Sequence, residues 1–138
     1  MAPEAGLLVP IERLCAFMRT LDDAALDGVF ASRGVTILEN FAPHVFKGRG
    51  AVRRWAEGFK AHAQGLGELR HNFGPAQDVT RHGDLAYLSL PTTWRGLSGG
   101  EPFIETGGWA FVLRREGEAW RILSYGWAVT SWRIEKTD

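Results

Sequence analysis

The chain has 138 residues, 45% of them hydrophobic and 23% charged, which fits one globular domain with its own core and is too short for two ordinary domains. Its 16 basic and 16 acidic residues cancel, and because affinity for nucleic acid depends on many phosphate contacts, no nucleic acid is expected as a partner. The apolar runs are too short to span a membrane, the N-terminus lacks the basic region of a signal peptide, and there is a single cysteine. These features predict a cytoplasmic protein with no membrane partner.

Residues 1–9 are predicted to form an N-terminal arm, and residues 10–138 a single domain. Pro10 suits the first turn of a helix, where its missing N–H costs nothing. After Pro10, apolar residues recur at the helical spacing of three and four. Gly28 and Gly34 close this segment, and residues 35–38 are typical of a short strand. The apolar face of the helix comprises Ile11, Leu14, Cys15, Met18, Leu21 and Ala25.

A second helix is predicted to begin near Gly50 and to end at Gly65 and Gly67. Everything after it alternates as strands do, with turn signals at residues 74–75, 82–83, 96–100 and 116–117. Helices first and a four-strand antiparallel run last predict an α+β fold, with the helices covering one face of the sheet. The apolar face of the second helix comprises Val52, Trp55, Ala56, Phe59 and Ala63.

The last two strands can be paired if residues 116–119 form their turn. Phe111 then faces Ser124 and Trp109 faces Gly126, so that bulky rings meet small residues, as cross-strand packing favours. With residues 96–101 as the preceding turn, the inner face of the sheet collects these residues: Leu88, Leu90, Thr92, Trp94 opposite Phe103, Glu105, Trp109 and Phe111.

The same register sends a second set of aromatic residues to the outer face of the sheet. A monomer is not expected to show such a patch to water. The sequence therefore predicts a homodimer whose interface contains Tyr87, Tyr125 and Trp127.

Three stretches carry a resemblance to a known family: "VTILENFAPHVFKGRGAVRRW", "GDLAYLSLPTTW" and "ETGGWAFVLRREGEAWRILSYGWA". They resemble the SnoaL-like branch of the nuclear transport factor two and ketosteroid isomerase-like superfamily, a branch of mostly uncharacterised bacterial proteins. The resemblance implies a cone, in which a curved antiparallel sheet wraps around N-terminal helices, with a pocket in the open cone and commonly a homodimer. It does not assign an activity, because this scaffold hosts isomerases, dehydratases, cyclases, hydrolases and non-enzymatic binders.

In this resemblance, the position of the general-base aspartate of ketosteroid isomerase is occupied by Asn40. Asparagine has no titratable proton and cannot act as that base. The first helix also lacks the tyrosine that holds the oxyanion in the isomerase, so ketosteroid-type chemistry is not expected. The segment "FAPHVF" is expected to turn the chain and close the core with Phe41 and Phe46. The alternative is that Asn40 contacts a ligand.

Glu105 is the strongest candidate for a catalytic residue, since it is a carboxylate on the otherwise apolar inner face of the sheet. Burial would raise its pKa and allow it to act as a general acid or base. The alternatives are that water solvates it at the open end of the strand, or that it pairs with an arginine. A further hypothesis is a catalytic dyad of His71 with Glu105. The four histidines, Cys15 and the acids show no metal-ligand spacing, and no cofactor motif is present, so neither a metal nor a cofactor is expected.

Three hypotheses about function follow. The first is a small-molecule-binding protein that takes a small apolar or aromatic molecule. The alternative is a cofactor-free isomerase, dehydratase or cyclase-type enzyme with Glu105 as general acid or base and His71 or Asn40 orienting the substrate. The third is a dimeric interaction module whose cone is filled by side chains. The residues expected to bind a ligand are Asn40, Phe41, Trp55, Phe59, Thr92, Trp94, Phe103 and Trp109.

Overall fold

A computed structural model of the protein describes residues 5–135. No helix in this part of the chain is both long enough and apolar enough to cross a membrane. The elements in chain order are α1 (Ala5–Thr20), a short 3₁₀ helix (Asp23–Leu26), β1 (Thr36–Leu38), β2 (Val45–Lys47), α2 (Ala51–His62), β3 (Leu66–Phe73), β4 (Gln77–His82), β5 (Leu85–Ser98), β6 (Glu101–Glu116) and β7 (Ala119–Ile134).

Helix α1 begins earlier than predicted. Residues 5–9, which were expected in an arm, are helical, and residues 1–4 lie outside the described residues. Pro10 is therefore inside the helix rather than in its first turn. The reason is that Leu7 extends the apolar face of α1 by one turn and is only 1% exposed. Its burial stabilises the additional turn although Pro10 cannot donate a backbone hydrogen bond there.

The sheet has seven strands in the order β2-β1-β7-β6-β5-β3, and β4 also pairs with β5. Every pair is antiparallel except that of β1 with β7. Helix α1 packs on β7 and β3, and α2 packs on β1 and β2, so the sheet wraps around the helices. Within residues 5–135, no helix covers the outer face of the sheet. The predicted α+β cone is confirmed.

The strands after α2 differ from the prediction in number and in one register. Five strands follow α2 rather than four. The hairpin between β5 and β6 turns at residues 99–100, and Gly96 lies inside β5. Trp94 consequently pairs with Glu105 rather than with Phe103. Because this shift is of two residues, every side chain of β5 and β6 keeps its predicted face.

The pairing of β6 with β7 contains a bulge that the sequence analysis did not foresee. The predicted register holds at Leu113, which pairs with Ile122. The next residue, Val112, pairs with Ser124, so Leu123 has no partner across the ladder. A shift of one residue turns over all the side chains that follow. Ser124 and Gly126, the small residues predicted opposite inner-face rings, thus lie on the outer face of β7.

The bulge also overturns most of the predicted dimer interface. Tyr125 is 1% exposed and belongs to the core, and the ring centroid of Trp127 lies 4.8 Å from that of Trp109 on the inner face. Their assignment to the outer face was therefore wrong. Tyr87 does lie on the outer face, where it pairs with Val112 and is half-buried. The homodimer itself stays a prediction.

A second bulge lies further along the same pair of strands. Gly107 pairs with Val129, whereas Thr106 pairs with Ser131, so Thr130 is the additional residue. Gly107 is required by the packing here, because a Cβ at this position would lie 2.3 Å from the carbonyl oxygen of Ala128 and 2.8 Å from the ring of Trp127. Only glycine allows such a close approach.

Candidate functional site

A cavity of about 540 Å³ lies at the end of the sheet where β5 turns into β6. Its walls come from the C-terminal ends of α1 and α2, the turn after β1, and strands β3, β5, β6 and β7. The lining residues are mostly apolar: Met18, Glu39, Asn40, Phe41, Phe59, His62, Gln64, Leu66, Leu69, Trp94, Ser98, Phe103, Glu105, Trp109, Trp127, Val129 and Trp132.

Two of the residues predicted to bind a ligand do not line the cavity. Trp55 is fully buried and donates its indole N–H to Glu39. Thr92 is buried on the inner face, and its hydroxyl donates to the carbonyl oxygen of Leu90 at 3.2 Å. The others do line it, and their contact with a ligand stays a prediction: Asn40, Phe41, Phe59, Trp94, Phe103 and Trp109.

The segment "FAPHVF" turns the chain from β1 into the first two residues of β2, as expected. The N–H of His44 donates to the carbonyl oxygen of Phe41 at 2.9 Å, and Phe41 and Phe46 are both buried. Phe41 also stacks on the ring of His62, with centroids 4.8 Å apart. The interpretation of this segment as a core-closing turn is confirmed, and its neighbour Asn40 reaches the cavity as well.

Glu39 is the principal residue that the sequence analysis missed. It is only 8% exposed, and its Oε2 accepts hydrogen bonds from the indole of Trp55 at 2.9 Å and from the hydroxyl of Tyr125 at 2.5 Å. A signal was available, because Val35, Ile37 and Glu39 alternate along the extended segment that contains β1, and the first two are buried core residues. An acid in this pattern points to the buried face.

Burial raises the pKa of Glu39, against the hydrogen bonds from Tyr125, Trp55 and the backbone of Asn40, which favour the ionised carboxylate. Burial, together with the adjacent acid, also raises the pKa of the Tyr125 phenol. The phenol therefore keeps its proton and donates a hydrogen bond to the carboxyl group of Glu39. This arrangement fixes the Glu39 carboxyl group at the cavity wall.

Glu105 is the second acid of the cavity. It is half-buried on the inner face of β6, where its cross-strand neighbours are Trp94 on β5 and Trp132 on β7. Burial, followed by the repulsion of Glu39, raises the pKa of Glu105. The predicted direction of this shift is thus present, but the proposed catalytic role stays a prediction.

His71 does not form the predicted dyad with Glu105. His71 pairs with Trp94 across β3 and β5, so Trp94 separates the two residues in the sheet. Two strand spacings place their backbones about 10 Å apart. The Nε2 of His71 instead lies 3.3 Å from a carboxylate oxygen of Glu12 on α1. His71 is also absent from the cavity wall.

The cavity holds one histidine, His62, at the C-terminal end of α2. Burial lowers the pKa of His62, which favours its neutral form. Among residues 5–135, no group of three or more His, Cys, Asp or Glu side chains is placed to hold a metal ion. The site as described offers two carboxyl groups, one neutral imidazole and an aromatic wall. Such a site can accept or donate protons and can bind apolar surface.

No model of a known protein family matches the chain, and no curated protein matches it significantly. Solved structures do match. The type 2 hexachlorocyclohexane dehydrochlorinase LinA superposes with a TM-score of 0.75 at 10% identity, covering 97% of this chain and 89% of its own. The Kfla4162 protein of Kribbella flavida gives a TM-score of 0.77 at 14% identity, covering 94% and 91%.

A nuclear transport factor two-like superfamily protein of Salmonella enterica serovar Typhimurium gives a TM-score of 0.70 at 13% identity, covering 94% of this chain and 89% of its own. Identities this low are evidence about fold rather than about activity. The SnoaL-like branch stays a prediction. The fold, in contrast, is established: the chain has the nuclear transport factor two-like fold.

Proposed function

We propose that this protein binds a small apolar or aromatic molecule in its cavity. The observation that carries this proposal is a space of about 540 Å³ walled mainly by apolar side chains, seven of them Phe or Trp, with six polar residues in the described part of its wall. Pockets of about 300–1,000 Å³ with apolar walls and a few convergent polar groups are typical of small-molecule sites.

The rings provide the binding energy in this proposal. Trp109 and Trp127 pack against each other with centroids 4.8 Å apart, and Phe103 stacks on Trp132 at 6.1 Å. Trp132 is 50% exposed, so part of this aromatic wall is in contact with water. A ligand that covers such surface gains about 25 cal/mol for each Å² of apolar area removed from water.

A titration with Nile red, a neutral apolar dye whose emission rises in apolar surroundings, tests the proposal. We expect saturable binding with one site per chain. The variant Trp94→Ala should weaken binding at least about tenfold, because it removes one wall of the cavity. Trp120→Ala is the matched control, since Trp120 is equally buried but lies outside the cavity. Equal affinities for the two variants, or no saturable binding to the wild type, would contradict the proposal.

A second candidate is a cofactor-free enzyme of the isomerase, dehydratase or cyclase kind, with Glu105 as general acid or base. The observation in its favour is that two cavity acids, Glu39 and Glu105, both have raised pKa values. A carboxyl group with a raised pKa is a better proton acceptor once it is ionised. LinA, which shares the fold, is a dehydrochlorinase, but the shared fold does not carry over its chemistry.

The enzyme candidate can be tested with an aromatic β-hydroxyketone, whose loss of water produces a conjugated product that absorbs in the ultraviolet. Glu105→Gln should abolish turnover while leaving the affinity for Nile red within about twofold, because the charge changes and the shape hardly does. Turnover that survives in Glu105→Gln would exclude Glu105 as the acid or base.

A further inference from the structure

We infer that the molecule bound in this cavity is an organic cation, a substituted ammonium ion held by Glu105 between the indole rings of Trp94 and Trp132. This inference rests on the proposed binding function and narrows its ligand to one chemical class.

The first observation is the order of side chains across the sheet. Trp94, Glu105 and Trp132 are direct cross-strand partners on β5, β6 and β7, and all three line the cavity. Direct partners have Cβ atoms about 5 Å apart on the same face of a sheet. The carboxyl group therefore has an indole on each side. The second bulge creates this row, since it brings Trp132 opposite Glu105.

The second observation is that Glu105 has no protein partner. Within residues 5–135 its side chain makes neither a hydrogen bond nor an ion pair, in contrast to Glu116, which pairs with Arg114 at 2.7 Å. No lysine or arginine is among the described lining residues, and burial favours the neutral form of His62. The second acid of the cavity, Glu39, repels the ionised form of Glu105 and supplies no positive charge. Among the described lining residues, therefore, no positive charge balances the two acids.

An ammonium ligand would supply that charge. A carboxylate taken out of water without a partner is costly, and a cation beside it offsets much of this cost. Tryptophan is the best aromatic partner of a cation, and the interaction strengthens when water is excluded. An anionic ligand would be repelled by Glu39 and Glu105, and a neutral ligand would leave the Glu105 carboxylate unpaired. A ligand with both a positive charge and apolar surface satisfies the acid and the rings together.

Competition against bound Nile red distinguishes the proposed apolar binding site from its inferred preference for a cation. The probes are phenyltrimethylammonium and tert-butylbenzene, which have the same shape and differ in one positive charge. We expect phenyltrimethylammonium to displace the dye at a concentration at least about tenfold lower. Glu105→Gln should remove most of this preference by weakening the cation alone. Glu118→Gln is the control for net charge, because Glu118 is exposed in the turn between β6 and β7 and does not line the cavity.

Each negative result shows whether the proposed function or the inference about charge is wrong. If Nile red itself does not bind, the proposed function fails. If Nile red binds but phenyltrimethylammonium competes no better than tert-butylbenzene, including the case in which neither competes, the inference about charge is overturned and the apolar site stands. A preference for the cation that Glu105→Gln and Glu118→Gln leave equally intact would also overturn it, because the preference would then not depend on Glu105.

Discussion

Substitution of Gly107 by alanine tests the packing that places Trp127 in the cavity. A Cβ at Gly107 would lie 2.3 Å from the carbonyl oxygen of Ala128 and 2.8 Å from two ring carbons of Trp127. Non-bonded carbon atoms pack best at about 3.5–4.0 Å, so the ring and the backbone of β7 would both have to move by roughly 1 Å. The carbonyl oxygen belongs to the backbone, and the indole is a rigid ring packed against Trp109, so the displacement should reach the cavity wall.

The expected cost is that of overpacking a well-packed core, about 1–3 kcal/mol in the free energy of unfolding. Gly108→Ala provides a matched control one residue away. No atom lies within 4 Å of the position where its Cβ would stand. The control should therefore change the free energy of unfolding by no more than about 0.5 kcal/mol.

Urea denaturation followed by tryptophan fluorescence measures both variants, and Nile red titration reports the state of the cavity. Gly107→Ala should lower the midpoint of unfolding and weaken dye binding, and Gly108→Ala should do neither. If the two variants unfold at the same midpoint and bind the dye equally well, the close contact of Gly107 with Trp127 does not exist in solution, and the inward position of Trp127 would have to be abandoned.

Three further predictions concern titratable groups. Folding raises the pKa of Glu39 above 4.5, so between pH 4.5 and the raised pKa the folded chain binds more protons than the unfolded chain. The contribution of Glu39 to the free energy of unfolding therefore falls as the pH rises through the folded pKa. Urea denaturation at a series of pH values should show a flatter profile for Glu39→Gln, and an unchanged profile would refute this. Arg114 and Ser32 lower the pKa of Glu116 from 4.5 to about 2, so Glu116→Gln should destabilise the fold at neutral pH and lose this effect as the pH falls towards 2, which thermal unfolding at both pH values would detect. Burial raises the pKa of the Cys15 thiol, so a thiol-reactive dye should label Cys15 only after unfolding, and labelling of the folded chain at the rate of a free thiol would contradict its burial.

Much of the fold follows from local patterns in the sequence. Apolar spacing identified both helices, and alternation identified the inner face of β5 and β6, including Trp94 and Glu105. The error in the register of β5 and β6 did not change which side chains face the core, because side chains alternate with a period of two and the shift was of two residues. The same alternation carries a signal for Glu39, which continues the pattern of Val35 and Ile37, but the sequence analysis did not use it.

The composition of the site depended on contacts between distant parts of the chain. Glu39 meets Trp55 after 16 residues and Tyr125 after 86 residues. Tyr125 reaches it only because the bulge at Leu123 turns this part of β7 inwards, where β1 pairs with it in parallel. A bulge gives up ladder pairing at one residue, and the compensating burial and hydrogen bonds come from other elements. Local alternation therefore determined which strands form the cone, and tertiary packing decided which face of β7 lines its cavity.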